Sequence, residues 1–334
     1  MKLPKPLLAQ EGVLCYFIDM FPPKTLKKFL KRLSFYKELR YIYRSFFVYK
    51  KPLAYFYYRF IIRPKIRKLN RPIDKPATDS GYSIHFLCSH SDLDMLLWSL
   101  ASWYHVVPTS GKVYIHEDGS FTAEDKKIVS KLLPNAILVD FHRAGGQATS
   151  DWLKNFPKTR EFRKKTLKDR RYILAVKLID SRFVSQSPWR LILDTDILWF
   201  QYPKEIIDLL KTKKQSFFMH GNSFTDFEFA DGTKLPDNLA LINSGIVGYG
   251  LHNYSPEALE KFCGIIGINS NPHFIEQAGF AYILDKGGAI KMLDKTKYII
   301  KGEINENVAA KHYTGPRREQ YWFEGVKVLR KTIL

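Results

Sequence analysis

Cysteine is scarce in this chain. Cys15, Cys88 and Cys263 are the only three in 334 residues, too few and too scattered for a disulfide framework or a cysteine-based zinc site, a usage that fits a reducing compartment. Long apolar runs are missing too. No stretch reaches the roughly 18 consecutive apolar residues that a membrane-spanning helix requires. The opening MKLPKPLLAQEGVLCYFIDMFPP carries Glu11 and Asp19 where a signal peptide needs an unbroken apolar core, which argues against secretion. Internal repeats and low-complexity tracts are likewise absent. Acidic residues are sparse at the start: positions 1–75 hold 19 Lys+Arg against 4 Asp+Glu, so most of the formal net charge of +20 lies there. What is present is a hydrophobic fraction of 45%, ordinary for a globular protein and too high for a disordered one. The length suits one large domain or about two average ones.

The basic segment is also aromatic. Residues 24–71 contain 16 Lys or Arg, one acid (Glu38) and 13 Phe or Tyr. Leu26, Phe29, Leu30 and Leu33 recur at helical spacing with Lys27, Lys28, Lys31 and Arg32 between them, and Pro52 and Pro64 divide the region into two or three helices. The run RPIDKPATDSG at 71–81 reads as a junction. The expected organisation is a basic helical extension over 1–75 and a folded domain over 76–334. Such an extension suits an anionic membrane surface, with rings toward the acyl chains and amines toward the headgroups, an acidic acceptor, or a nucleic acid whose phosphates it tracks and whose bases it stacks; the plainer alternative is that the aromatics pack against the folded domain and the charges only face solvent. The membrane is favoured over nucleic acid, because the charge is confined to a strongly apolar extension and no nucleic-acid motif is apparent. This places the protein in the cytoplasm, peripheral at the inner face of a membrane, through residues 24–71.

From Tyr82 onward short apolar runs alternate with helical patterns. Strands are expected at 82–88, 112–118, 136–141 and 189–196, and helices at 94–104, 122–133 (Thr122 as N-cap), 170–184 and from Pro203. This alternation predicts an α/β fold with a largely parallel sheet flanked by helices, a class in which ligands bind outside the carboxyl ends of the strands.

Asp194 and Asp196 stand at such an end. Arg190-Leu-Ile-Leu precedes them and Ile197-Leu-Trp-Phe follows, so two carboxylates emerge together from a core strand. Holding them dry and unpaired costs several kcal/mol, and a divalent cation is one remedy. The plainer alternative is that they face solvent or pair with Lys177 or Arg190. Phosphotransferases of the haloacid dehalogenase class also place Asp-x-Asp after an apolar strand, but they want Thr or Val where Leu198 stands.

Four segments in order carry a resemblance over most of 82–325: Lys177, seventeen residues before Asp194; LILDTDILWF; LINSGIVGYG at 241–250; and KHYTGP at 311–316. Together they resemble a nucleotide-sugar glycosyltransferase of the GT-A (Rossmann-like) fold, most similar to glycosyltransferase family 8, the retaining group that includes glycogenin and bacterial lipooligosaccharide galactosyltransferases. The pattern departs from the family in having Glu276-Gln277 for its Asp-Gln pair and no Lys-Pro-Trp after the late histidine, where Arg318 stands instead.

The resemblance implies a hexosyltransferase that takes a UDP-sugar to a glycan or lipid-linked acceptor, in surface polysaccharide or lipopolysaccharide synthesis. It implies Mn²⁺ or Mg²⁺ held by Asp194, Asp196 and His312, with Lys177 and Arg318 on the diphosphate and Gly315 allowing close backbone approach. Asn243, Glu276 and Gln277 would hold the donor sugar, with Gln277 or Glu276 at the reacting centre. Asp92 or Asp94, after the first strand, would accept from ribose or base, unless Ser91 or Asp92 only caps the next helix. For His312 the bland alternative is a surface histidine, with His116 and His142 as competing ligands; for Asn243 it is a turn residue. The competing functions are a nucleic-acid-binding protein and a non-catalytic relative of the transferases.

Overall fold

The computed structural model describes residues 36–78, 81–221, 227, 229–230, 232, 234–235, 237–266 and 272–334. The expected amphipathic helix built on Leu26, Phe29, Leu30 and Leu33 lies outside the described residues. Contacts divide the chain into two compact units, Met1–Tyr57 and Tyr58–Leu334.

In the first unit, helix α1 (Tyr36–Phe47) is followed by a short helix, Pro52–Phe56, with Pro52 in its first turn. Proline suits that position because its missing N–H has no partner to lose there. The Tyr55 hydroxyl donates to the Glu38 carboxylate, so the single acid of the basic segment is internally satisfied.

The second unit begins earlier than the junction expected at 71–81. Tyr58, Ile62 and Ile66 recur every four residues and are buried. The turn Arg63–Lys68 packs on helix α2 (Leu93–Val106), where the guanidinium groups of Arg63 and Arg67 both donate to the buried Asp94 carboxylate. Arg59 and Arg63 also lie over the Trp322 ring at 5.3 and 5.4 Å.

The fold class expected from the sequence is the one observed. A seven-stranded sheet has the order β3-β2-β1-β4-β7-β6-β8, built from β1 (Tyr82–Cys88), β2 (Lys112–Glu117), β3 (Ile137–Val139), β4 (Trp189–Leu193), β6 (Ser216–His220), β7 (Ile242–Gly250) and β8 (Ile290–Met292). Only β7 runs against the rest. A second sheet, β5-β10-β9, joins β5 (Ile197–Trp199), β9 (Tyr298–Ile299) and β10 (Ala310–His312).

Two features position the site. Helix α3 (Ala123–Leu132) starts at a reciprocal capping box between Thr122 and Asp125, which fixes the geometry beyond β2. Helices α4 (Ala175–Phe183) and α5 (Ile275–Lys286) pack in one apolar cluster that includes Leu178, Ile179, Ala278 and Ile283. A Cβ at Gly279 would lie 2.5 Å from Leu178. The absence of one lets the two helices approach closely and brings Lys177 beside Glu276.

Candidate metal centre

Strand β4 ends at Leu193 and β5 begins at Ile197, so Asp194 and Asp196 occupy the crossing between the two sheets. The antiparallel register of β5 and β10 places His312 opposite Ile197, one residue from Asp196. Backbone bonds lock this crossing: Asp194 N–H donates to Gly245 O at 2.9 Å, and Tyr313 N–H donates to Asp196 O at 2.9 Å.

One ligand atom each from Asp194, Asp196 and His312 lies within 4.8 Å of the others. His312 Nε2 is 3.0 Å from Asp196 Oδ1 and 3.5 Å from Asp194 Oδ2. The remaining carboxylate oxygens are already held. Lys177 Nζ is 2.5 Å from Asp194 Oδ1, and Arg318 Nε donates to Asp196 Oδ2 at 3.0 Å. Each acid therefore turns one oxygen to a fixed cation and the other toward the histidine.

The tautomer of His312 follows from Asn243. The Asn243 carboxamide oxygen accepts from Gly245 N–H at 2.9 Å and lies 2.8 Å from His312 Nδ1. An oxygen there can only accept, so Nδ1 carries a proton; the charged imidazole also donates from Nε2 to Asp196 Oδ1, and once neutral it would offer the Nε2 lone pair to a cation held by the acids. This is the arrangement by which an outer partner orients a metal-ligating histidine. Gly245 makes room for it: a Cβ there would stand 2.4 Å from His312 Nδ1 and 2.8 Å from Asn243 Oδ1.

Charge is closely balanced around the cluster. Burial raises the Asp196 pKa, but Arg318 and His312 outweigh it and hold the carboxyl well below the usual range. Burial lowers the His312 pKa, but the Asp196 and Asp194 charges outweigh it and raise it above the ordinary value. Lys177 is buried and also lies 2.8 Å from Glu276 Oε1. Desolvation would neutralise it, yet the two carboxylates keep it firmly protonated. Glu276 moves upward, because burial, with Asp194 adding to it, exceeds the pull of Lys177.

The structure brings nine of the ten residues singled out from the sequence into this neighbourhood. Lys177 lies between two carboxylates, which is the pairing foreseen in the plainer reading of the acids; Arg190 instead donates to the carbonyls of Ser181 and Ser185. Gln277 Oε1 accepts from Ser244 N–H at 3.3 Å. Arg318 also donates to Asp92 Oδ1 at 3.1 Å. Asp92 makes no side-chain capping bond to α2, and Asp94 is taken by Arg63 and Arg67, which leaves Asp92 as the carboxylate of the two that is tied to the cluster through Arg318. Gly315, the tenth, opens the turn Gly315–Arg317 between His312 and Arg318, and a Cβ there would have nothing within 4 Å. Of the competing histidines, His116 bonds to His85 inside the sheet at 3.0 Å.

The donor set is two carboxylate oxygens and one imidazole nitrogen, which suits Mn²⁺ or Mg²⁺, with the imidazole favouring Mn²⁺. The residues present fit such an ion, since the three donors converge and their other polar atoms are occupied.

No protein-family model matches the chain, and no curated protein does. Among solved structures, it is similar to mouse xyloside xylosyltransferase 1 in its apo form, with TM-score 0.46 and 11% identity over 71% of this chain and 98% of that one. It is also similar to the galactosyltransferase LgtC in complex with donor and acceptor sugar analogs (TM-score 0.41, 13% identity, 70% and 87% covered). A third is the mannosyltransferase Ktr4p from S. cerevisiae (TM-score 0.37, 12% identity, 66% and 70% covered). These neighbours are glycosyltransferases, the class that the sequence motifs resemble. Every score lies below 0.5, so the functional reading rests on the site itself.

Proposed function

We propose that this chain is a metal-dependent hexosyltransferase that moves a sugar from a nucleotide diphosphate, a UDP-sugar, to a glycan or lipid-linked acceptor. The observation that carries the reading is the convergence of Asp194 Oδ2, Asp196 Oδ1 and His312 Nε2, with the histidine tautomer set by Asn243. A bound divalent cation would supply charge neutralisation for the departing diphosphate.

The chain's own residues do the rest. Arg318 spans Asp92 and Asp196, and a diphosphate entering between them is offered its guanidinium as a charge-assisted donor. Lys177 is enclosed by Asp194 and Glu276; its role in this reading is to fix the two carboxylates, and through Asp194 to stabilise charge that grows on the leaving group. Glu276 and Gln277 begin α5 beside these groups and are assigned to the donor sugar. Gly315, with open space where a Cβ would be, admits a ligand close to the backbone. Retention of anomeric configuration enters through the sequence resemblance.

The membrane role concerns a different surface. Phe47 and Leu53 are 61% and 85% exposed, with Lys50 and Lys51 exposed between them. Rings and an aliphatic side chain interleaved with amines suit an anionic lipid surface, and a lipid-linked acceptor in surface polysaccharide or lipopolysaccharide synthesis would lie there. Arg63 and Arg67 are spent on Asp94 and do not count toward this contact. Among the described residues no helix is long and apolar enough to cross a membrane.

The deciding experiment is UDP release from UDP-sugars with Mn²⁺ in the wild type and in Asp196→Ala. Turnover that disappears in the variant and in EDTA supports the reading; full activity in either sinks the metal mechanism. Salt-sensitive DNA or RNA binding without UDP affinity would favour the nucleic-acid alternative.

A further inference from the structure

Most of the positive charge lies before residue 76, but a second concentration sits inside the folded unit. Positions 154–171 hold 9 Lys or Arg against Glu161 and Asp169, a net of +7 that exceeds the +5 of 76–334 as a whole. The segment folds as the helix Pro157–Lys168 followed by the turn Arg170–Tyr172. Thr159, Phe162, Arg163 and Thr166 form the buried face of the helix, so Glu161, Lys164, Lys165 and Lys168 project from the opposite one.

Some of these cations are committed. Arg163 is buried against Asp180, with Nε at 2.7 Å and a terminal nitrogen at 2.9 Å from its two oxygens. Arg170 pairs with Asp118, and Arg171 with Asp169 at 2.6 Å. Lys158 stands beside Glu260, whose carboxylate accepts the first N–H groups of the helix. Lys154, Lys164, Lys165 and Lys168 are exposed and enter no ion pair among the described residues. Like charges three and four residues apart destabilise a helix. The helix dipole offsets this for Lys165 and Lys168 in the last turn, but not for Lys154 or Lys164. The fold gains little from this face, which points to a partner.

Its place in the molecule says which. Arg170 ties the turn to Asp118, the residue after β2 ends, so the basic helix finishes at the rim where the parallel strands end and where Asp194 follows β4. The turn Arg170–Tyr172 also packs on the turn Pro272–Phe274, which leads directly into Glu276 and Gln277 at the start of α5. The cationic face thus abuts the residues assigned to the donor sugar. Among the described residues no large hydrophobic side chain is exposed between Ile61 and Tyr202. This face therefore has nothing to insert into acyl chains or to stack on bases, and it fits a hydrophilic polyanion. We propose that it binds the acceptor, and that the acceptor is an acidic glycan whose carboxylate or phosphate groups repeat along the chain. This rests on the transferase reading above and names the acceptor class that reading leaves open.

Transfer from UDP-sugars with Mn²⁺ to uronate- or phosphate-bearing glycans, set against neutral glycans of matched length, tests it with the full chain. The acidic glycans should accept sugar and the neutral ones should not. Oligogalacturonate, a polyanionic probe, should bind calorimetrically at low salt and weaken as salt rises. Lys164→Glu with Lys168→Glu should lower its affinity about tenfold and raise the KM for the acidic acceptor by a similar factor, the worth of two lost surface charge contacts. Lys164→Gln with Lys168→Gln should give a smaller loss in the same direction. Lys211→Glu with Lys214→Glu, an equal charge change at exposed positions elsewhere, should stay within about twofold. Transfer confined to neutral glycans, or oligogalacturonate that fails to bind at low salt, overturns the proposal and spares the transferase reading. So does an affinity that ignores Lys164 and Lys168, or that falls equally in the Lys211 and Lys214 control. Single-stranded DNA bound more tightly than the glycan through the same two lysines also overturns it, by making the face a nucleic-acid surface. If no UDP-sugar releases UDP with Mn²⁺ and any of these glycans, the transferase reading falls and the acceptor assignment with it, even where oligogalacturonate binds.

Discussion

The Asn243 carboxamide oxygen lies 2.8 Å from His312 Nδ1 and accepts a second bond from Gly245 N–H. Asn243 therefore acts on the candidate metal centre through another residue. Removing it frees the imidazole to rotate and to adopt the other tautomer. Asn243→Ala should weaken Mn²⁺ binding by about 10- to 100-fold, the usual cost of losing an outer-shell partner. Calorimetry would read this, with an unchanged thermal unfolding profile for the metal-free protein as the control. Unaltered Mn²⁺ affinity would mean that β10 alone fixes the ring.

That relationship marks where the sequence was legible and where it was not. The strand end at 88, the strand start at 189 and the Thr122 cap were readable, because apolar runs and capping residues act locally; the strand expected over 189–196 ends at Leu193, where the chain crosses to β5. Asp194, Asp196 and His312 could be grouped only through the order of family-like segments, since their meeting depends on the pairing of β5 with β10. Gly245 went unnoticed: its importance is the missing Cβ beside His312, which a one-dimensional pattern does not carry. The basic segment misled in part, because composition cannot distinguish Arg63 and Arg67, committed to Asp94, from Lys50 and Lys51 at the surface.

Metal affinity should depend on pH through His312. Burial lowers its pKa, but the neighbouring Asp196 and Asp194 outweigh it and raise the folded value above the ordinary one. A ligating imidazole must be neutral, so binding displaces a proton. Mn²⁺ affinity should rise with pH through the folded pKa of His312. The metal-free protein should behave oppositely. A raised histidine pKa contributes stability that is fully present below the unfolded value and is lost as pH rises through the folded one. Thermal unfolding with and without Mn²⁺ across this range should therefore give curves that diverge as pH increases; parallel curves would remove His312 from the ligand set.

Lys177 should matter for stability as well as activity. Its ammonium is buried against Asp194 and Glu276, and removing one partner of a buried ion cluster leaves charge uncompensated. Lys177→Met should destabilise the domain by about 2–3 kcal/mol, at or below the range for a broken buried pair because Asp194 is partly exposed and Glu276 can protonate. Denaturant unfolding would measure it. A variant as stable as the wild type would show that Glu276 takes the proton at no cost.

The surface formed by Phe47, Leu53 and the exposed Lys50 and Lys51 gives the most direct test of the proposed membrane contact. Each Lys or Arg near an anionic bilayer contributes about 1 kcal/mol, and a buried apolar side chain such as Leu or Phe adds about 1.5–3 kcal/mol. A few of each suffice for reversible binding, and the electrostatic share is screened by salt. Full-length protein should sediment with anionic liposomes at low salt and be released at high salt. Leu53→Asp with Phe47→Asp should abolish sedimentation while leaving UDP release from a soluble assay unchanged, because both residues belong to the unit that ends at Tyr57 and the candidate metal centre lies in the other. Sedimentation that persists in the double variant would move the lipid contact elsewhere in the chain, and full-length protein that ignores anionic liposomes at low salt would end the membrane reading.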